Sequence, residues 1–384
     1  MIRRELVLGT GALAIAAAVP LRAGPLRSDP LPAGPLRPDP PRAGPEAGVI
    51  VSGEPVARLQ ASSPGTDLSL LRELVNAAIL APSSHNTQCW KFALQDRQIR
   101  ISADVSRRCA VVDPDEHHSF VSLGCAAQNL SQAALANGLR ADAQFDESDS
   151  TLLVHLEATK PHASDLFQVI AQRQCTRGDY DGKALSPGEL RLLEQAGTGD
   201  GVRIELVTAR PAMERVLSYV VEANTLQMDN PLFIAELKKW LRFSQQEAIS
   251  SGDGLFTGAS GNPVVPRWLG LLMLDVFYTA HSENARYARQ VRNSAGLALF
   301  VSERSDRAHW LEAGRCYERF ALQATALGVR NALLNQPVEV ASIRPQFAAA
   351  LGLGQHRPDL VVRFGRGPAM PMSRRRPLQA VLVA

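Results

Sequence analysis

APSSHNTQCWKF, residues 81–92, decides how this chain is read. It follows LSLLRELVNAAIL, residues 68–80, whose apolar positions recur at helical spacing behind Thr66 and Asp67, both good N-cap types. Pro82 stops that helix, because its nitrogen has no hydrogen to donate and its ring disfavours helical geometry in the residue before it. Ser83, Ser84, Asn86 and Gln88 then crowd polar groups onto a tight turn before Trp90 opens a strand. Such a loop offers backbone and side-chain donors to one polar edge of a ligand.

Further along, RQCTRGDY, residues 173–180, sets Arg173 and Arg177 four positions apart. If the segment is helical, the two guanidiniums lie one turn apart and converge on one anion. Arg374 and Arg375, shortly before Pro377, add a second cationic cluster. Between these sites helix and strand signals alternate. QIRISADV and TLLVHLEA read as short strands, and GCAAQNLSQAALANGLR, residues 124–140, is apolar nearly all round, as a buried helix requires.

That helix has a counterpart. GRCYERFALQATALGVR, residues 314–330, aligns with it without a gap, placing Gly124 on Gly314, Gly138 on Gly328, and Ala134, Ala136 and Arg140 on Ala324, Ala326 and Arg330. A strand-like DLVVRFG follows the second copy, as QIRISADV precedes the first. The pattern reads as one α+β unit duplicated within the chain.

Bulk composition excludes more than it selects. The 384 residues are 45% hydrophobic and 21% charged, which is ordinary globular material, and a net charge of +3 gives no reason to expect nucleic acid. Five cysteines are scattered without a CxxC pair or zinc spacing, so they read as buried, unpaired thiols and no metal site is expected. Residues 1–22, MIRRELVLGTGALAIAAAVPLR, join a twin arginine to a short apolar run and read as an export signal of twin-arginine type. That implies the translocase as partner and a periplasmic address. The same residues are compatible with a Sec signal, a retained membrane anchor, or a cytoplasmic helix. Residues 23–66 repeat AGPLR and are proline-rich, reading as a semi-rigid tether, with folding expected from about Asp67.

From about Asp67 to the C-terminus these residues resemble the nitroreductase superfamily of FMN-binding proteins, specifically its Acg-type branch, in which two nitroreductase-like halves are fused. The resemblance implies an α+β, nitroreductase-like fold: an internal pseudo-dimer of two sandwich halves, residues 67–160 and 161–384, with a lid-like insertion at about 226–268. In that family a PSSxN loop touches the isoalloxazine, and an R-x-S/T-x-R/K segment holds the phosphate and the pyrimidine edge. Carried over, the flavin-binding set is Pro82, Ser83, Ser84, Asn86, Gln88, Arg173, Gln174, Cys175 and Arg177, with Arg374 and Arg375 as C-terminal phosphate arginines. Only the first half has the loop and only the second has the arginine pair, which implies one FMN per chain. Cys89 and Cys175 depart from the family pattern, which usually has Pro and Ser or Thr there. Losing a hydroxyl near the phosphate should weaken binding by about 0.5–1.5 kcal/mol without abolishing it.

The implied activity is FMN-dependent oxidoreduction, with hydride passed through flavin N5 to a nitroaromatic, quinone or similar acceptor and NAD(P)H as the family's usual donor. No protein residue need act as base or nucleophile. An exported protein would meet little NAD(P)H, so a flavin-sequestering protein with a lid-covered site is the rival expectation. Trp240, Phe243 and Phe256 are lid candidates that could equally be core. His117 and His118 in DPDEHHSF read as a solvated helix start, and Cys125 as a small core residue. No GxSxG or HExxH occurs.

Overall fold

The computed structural model describes residues 67–383. The export signal and the proline-rich tether lie outside the described residues. Within them the strands are β1 (Trp90–Gln95), β2 (Gln98–Ala103), β3 (Leu139–Asp146), β4 (Thr151–Ala158), β5 (Val202–Val207), β6 (Leu241–Arg242), β7 (Leu255–Phe256), β8 (Gly296–Ser302), β9 (Arg330–Leu333), β10 (Arg357–Gly365) and β11 (Leu382–Val383). They form a five-stranded sheet in the order β11-β1-β2-β4-β3, a four-stranded sheet in the order β5-β8-β10-β9, and a two-stranded β6-β7 ribbon. The fold is α+β: every pairing within the two larger sheets is antiparallel except β1 with β11.

β11 brings the C-terminal stretch of the chain back to the five-stranded sheet. After β10 it leaves the four-stranded sheet and returns to the first, where Leu382 registers against Phe92. This return carries Arg375 to the C-terminal end of helix Leu68–Ala78. Two residues are too short a run for alternation to announce a strand.

Two long helices, His117–Ala136 and Arg307–Ala326, cross at the centre, and one apolar core spans both of them and the inner faces of both sheets. Their closest approach uses the aligned glycines reciprocally. A Cβ on Gly124 would stand 1.9 Å from the carbonyl oxygen of Leu311, and a Cβ on Gly314 would stand 2.0 Å from that of Val121. Each glycine thus faces the residue three positions before the other. The second sheet is covered on its other face too, by helix Arg210–Met228 and its neighbours, which is why β8 is buried along its whole length.

His117 and His118 are buried, contrary to the solvated helix start expected from their neighbours. Asp113 does act as a cap, accepting from the amides of His118 and Ser119 and from the Ser119 hydroxyl, each at 2.8 Å. Long-range packing brings Asp359 to within 2.8 Å of His117 Nε2, a partner 242 positions away that local pattern cannot reveal. Cys125 is a buried core thiol whose Sγ lies 3.2 Å from the Gly314 carbonyl, and burial pushes its pKa well up. All five cysteines are free, Cys175 being the one that is only half-buried.

The insertion folds as helix Pro231–Trp240, β6, helix Gln245–Ser251, β7 and a 3-10 turn Thr257–Ser260, leading into helix Arg267–Phe277. It has its own apolar cluster, in which Trp240 and Phe243 pack with Phe233, Leu237, Leu241, Cys109 and Val112.

Candidate functional site

Helix Leu68–Ala78 starts where the Asp67 carboxylate accepts from the Ser69 amide, and it ends against two arginines. Arg375 Nε donates to the Ile79 carbonyl at 2.8 Å, and its Nη2 donates to those of Leu80 and Ala81 at 2.9 and 3.2 Å. Arg173 Nη2 donates to Leu80 at 2.8 Å. Cations belong there, because the last carbonyls of a helix lack amide partners and carry its negative dipole end.

The next turn is strained. His85, Asn86 and Gln88 all have left-handed backbones, with φ of 49°, 53° and 54°. Each such residue costs roughly 1–3 kcal/mol, which surrounding bonds must offset. Ser83 Oγ accepts from the Gln88 amide at 2.9 Å. Asn86 Nδ2 donates to the Gly254 and Arg374 carbonyls at 3.0 and 3.1 Å, while its Oδ1 accepts from Arg375 at 3.1 Å. Gln88 Nε2 donates to the Gly252 carbonyl at 2.8 Å, and its Oε1 accepts from the Arg376 amide at 2.8 Å. Asn86 and Gln88 therefore clamp this loop to the insertion and to the C-terminal return.

The arginine segment is extended, not helical. A 3-10 turn ends at Gln172, Arg173 has ψ of 130°, and the Thr176 amide donates to the Asn331 carbonyl at 2.8 Å. The two arginines accordingly meet different partners. Arg173 is buried, with Nε 3.0 Å from Glu318 Oε1. Burial outweighs the neighbouring Arg173 and pushes the Glu318 carboxyl up to about 6. Arg177 reaches Ser260 Oγ of the insertion at 3.4 Å and has no carboxylate within ion-pair distance among the described residues. Gln174 braces the C-terminal return through the Met370 backbone, donating at 2.9 Å and accepting at 2.8 Å. Cys175 Sγ lies 3.5 Å from the Tyr317 hydroxyl.

These elements wall one cavity of about 400 Å³. Pro82, Ser83, Ser84, Asn86, Arg173, Gln174, Cys175, Arg177 and Arg375 all line it. Gln88 and Arg374 are not among the lining residues: Gln88 is fully buried, and Arg374 contributes its carbonyl to the Asn86 clamp. The lining also includes Phe243, Phe256, Phe277, Tyr278 and Tyr287. Trp240 lies outside the lining, against the Arg107 guanidinium at 5.3 Å.

The chain is similar to nitroreductases. It is 24% identical over 343 residues to the protein named "Putative NAD(P)H nitroreductase Rv3131" of Mycobacterium tuberculosis strain H37Rv, covering 86% of this chain and 96% of that one. It is 23% identical over 344 residues to "Putative NAD(P)H nitroreductase acg" of the same strain, covering 81% and 95%. No protein-family model matches. Among solved structures, a nitroreductase with bound FMN from Bacteroides fragilis superposes with a TM-score of 0.37 at 14% identity, covering 58% of this chain and 99% of that chain. The FMN-dependent nitroreductase NfnB from Mycobacterium smegmatis, in complex with NADPH, gives 0.35 at 12% identity, covering 53% and 87%.

Three cavity groups were not singled out from the sequence. His85 lies in the motif itself, and burial, then Arg177 and His118, pull its pKa down to about 4, so the ring is neutral at physiological pH. Glu339 lines the cavity, accepts from Gln227 Nε2 at 2.7 Å, and has its pKa raised by burial. Arg363 of β10 lines it as well, in a strand that reads as wholly internal. Its placement beside Arg177 depends on the 176–178 segment lying across β10, which no local signal announces.

Proposed function

We propose that this chain is an FMN-dependent oxidoreductase of nitroreductase type, taking electrons from NAD(P)H and delivering hydride to a nitroaromatic, quinone or similar acceptor. One observation carries the reading: three distant stretches, at residues 82–86, 173–177 and 375, meet around one cavity whose lining combines arginines with aromatic rings. Its volume, about 400 Å³, falls in the range that small-molecule and cofactor sites occupy. When bound, the flavin supplies the redox chemistry, with N5 as the hydride-carrying atom.

The chain's own residues bind, orient and exclude water. Arg173, Arg177 and Arg375 would take the phosphate and the pyrimidine edge through charge-assisted bonds, with Ser83, Ser84 and Gln174 as neutral partners. Cys175 stands where a hydroxyl would strengthen that set. The aromatic rings of the lining would exclude water and so strengthen each polar contact. His85, being neutral, adds no charge to the ring's surroundings at pH 7.

The same reading assigns one FMN per chain, two fused halves at residues 67–160 and 161–384, and a lid at about 226–268. The reciprocal glycine contacts support the duplication. It also assigns residues 1–22 to twin-arginine export and a periplasmic address, with a retained anchor as the alternative. A second reading, a flavin-sequestering protein with little reductase activity, is favoured by the hydrogen bond that Arg177 donates to Ser260 of the insertion, both of which line the cavity. Anaerobic NADPH separates the two: an oxidoreductase bleaches its flavin, whereas a sequestering protein bleaches with dithionite but not with NADPH. The double variant Arg173→Ala, Arg177→Ala should lose FMN under either reading, and normal flavin content in that variant would move the phosphate site elsewhere.

A further inference from the structure

Glu283 and Glu339 supply the carboxyl groups of the cavity lining, and they are held differently. Glu283 is ion-paired with Arg286, whose charge favours the carboxylate form. Glu339 has no arginine or lysine within ion-pair distance among the described residues; the basic group beside it is His118, with Nε2 3.8 Å from Oε1. Its Oε2 accepts from Gln227 Nε2 at 2.7 Å, which fixes the carboxyl against helix Arg210–Met228. Oε1 makes no hydrogen bond among the described residues, and the side chain keeps 18% of its surface exposed. The His118 ring, by contrast, is buried, and its Nε2 has no hydrogen-bond partner.

A carboxyl held this way is suited to carry a proton. Burial disfavours its charged form and raises its pKa, while one oxygen stays uncommitted at the cavity. Neighbouring groups are poorer proton sources. His85, pulled down to about 4, is neutral at physiological pH, and burial pushes the Tyr278 and Tyr287 hydroxyls up. Arginines do not give up their protons. The charge of His118 acts on both His85 and Glu339, so Glu339 belongs to the neighbourhood of the 82–86 loop.

We propose that Glu339 is the acid that protonates the acceptor through Oε1, and that quinones are the acceptor class it serves. This rests on the oxidoreductase reading above, which supplies the hydride. A quinone that takes hydride becomes a hydroquinone monoanion. The Oε1–H bond then breaks, the proton passes to the anionic oxygen to give the hydroquinone, and Glu339 is left as a carboxylate that solvent reprotonates. One acid matches that single proton, whereas taking a nitro group to nitroso consumes a second and expels water. Charge left on the acceptor oxygen among aromatic rings would be costly, so the proton counts most as the hydride arrives. General acids of this kind typically contribute about 10²–10⁴-fold.

The test is stopped-flow reoxidation of the dithionite-reduced, FMN-loaded full chain by menadione and by ferricyanide, which takes electrons without protons. Glu339→Gln keeps an oxygen for Gln227 and removes the proton. The expected result is that this variant slows menadione at least tenfold more than ferricyanide and loses the solvent deuterium isotope effect that wild type shows with menadione. Equal slowing with both acceptors, or slowing with neither, would overturn the proposal. A second readout needs no turnover: infrared difference spectra of the oxidised chain, FMN-loaded and FMN-free, with and without menadione. A protonated-carboxyl band that shifts with menadione in wild type and is missing from Glu339→Gln supports the contact; wild type without such a band, or with one that ignores menadione, would overturn it. Reduced wild type that neither acceptor reoxidises would sink the oxidoreductase reading, and the infrared shift would then decide the contact between Glu339 and the quinone by itself.

Discussion

Gly124→Ala should cost this fold far more than one methyl group ordinarily does. The new Cβ would sit 1.9 Å from the Leu311 carbonyl oxygen, roughly 1.5 Å short of ordinary contact. A side chain in that position could rotate away, but a carbonyl inside helix Arg307–Ala326 is held by its own ladder, so the two helices must separate. Overpacking of this kind costs about 1–3 kcal/mol, and a backbone obstacle argues for the upper end. Replacing a mid-helix glycine returns about 1 kcal/mol of helix propensity. The net loss is therefore about 2 kcal/mol, and Gly314→Ala, at 2.0 Å from the Val121 carbonyl, should lose a similar amount. Because the first methyl already opens the crossing, the double variant should lose less than the sum. Urea unfolding followed by circular dichroism and tryptophan fluorescence measures all three. If either alanine proved neutral or stabilising, the central crossing would not be built on glycine contact and the reciprocal packing would be wrong.

Other expectations concern the site. Arg173→Ala strands a buried Glu318 carboxylate and should destabilise by about 3–5 kcal/mol, with much of the loss recovered on adding Glu318→Gln, as a double-mutant cycle would read. Glu318 has its folded pKa raised to about 6 from an ordinary 4.5, so the folded state binds the extra proton between those values. Its contribution to stability is therefore largest at low pH and falls as pH rises through that window, by about 2 kcal/mol. The difference between wild-type and Glu318→Gln unfolding curves at pH 4.5 and 6.5 isolates it, and a difference of the opposite sign would refute the assignment. Cys175→Ser restores a hydroxyl near Tyr317 and should tighten FMN binding by about 0.5–1.5 kcal/mol, read by fluorescence quenching; unchanged affinity would show that the hydroxyl is irrelevant. Asn86→Ala removes three bonds between the loop, the insertion and the C-terminal return, and should make the chain near Arg374 more sensitive to protease and lower flavin retention.

What could be read from the sequence was what local chemistry determines. Asp67 capping a periodic helix, Pro82 ending the segment and Trp90 starting a strand all follow from neighbours within a few positions, and the structure has each. The glycine alignment was legible because close helix packing leaves a compositional mark. What escaped depends on partners distant in the chain. His117 is buried because Asp359 reaches it, not because its own neighbours are apolar. Gln88 and Arg374 carry the right chemistry in the right place, but a motif does not say which way a side chain points, and both serve the clamp around the loop. Arg173 and Arg177 were expected on one helical face. The pairing of 175–176 with Asn331 keeps that segment extended and gives the two cations separate partners. Arg363 was invisible because a strand reading DLVVRFG gives no warning that its one cation reaches the Thr176 and Gly178 carbonyls at the cavity.

The most direct test of the central claim is the visible absorption spectrum of the purified full chain, before and after addition of FMN and then of anaerobic NADPH. The account predicts a flavin spectrum at one equivalent per chain that bleaches on NADPH. Protein that stays colourless after FMN is added and removed by desalting would contradict it, because the cavity would then not be a flavin site.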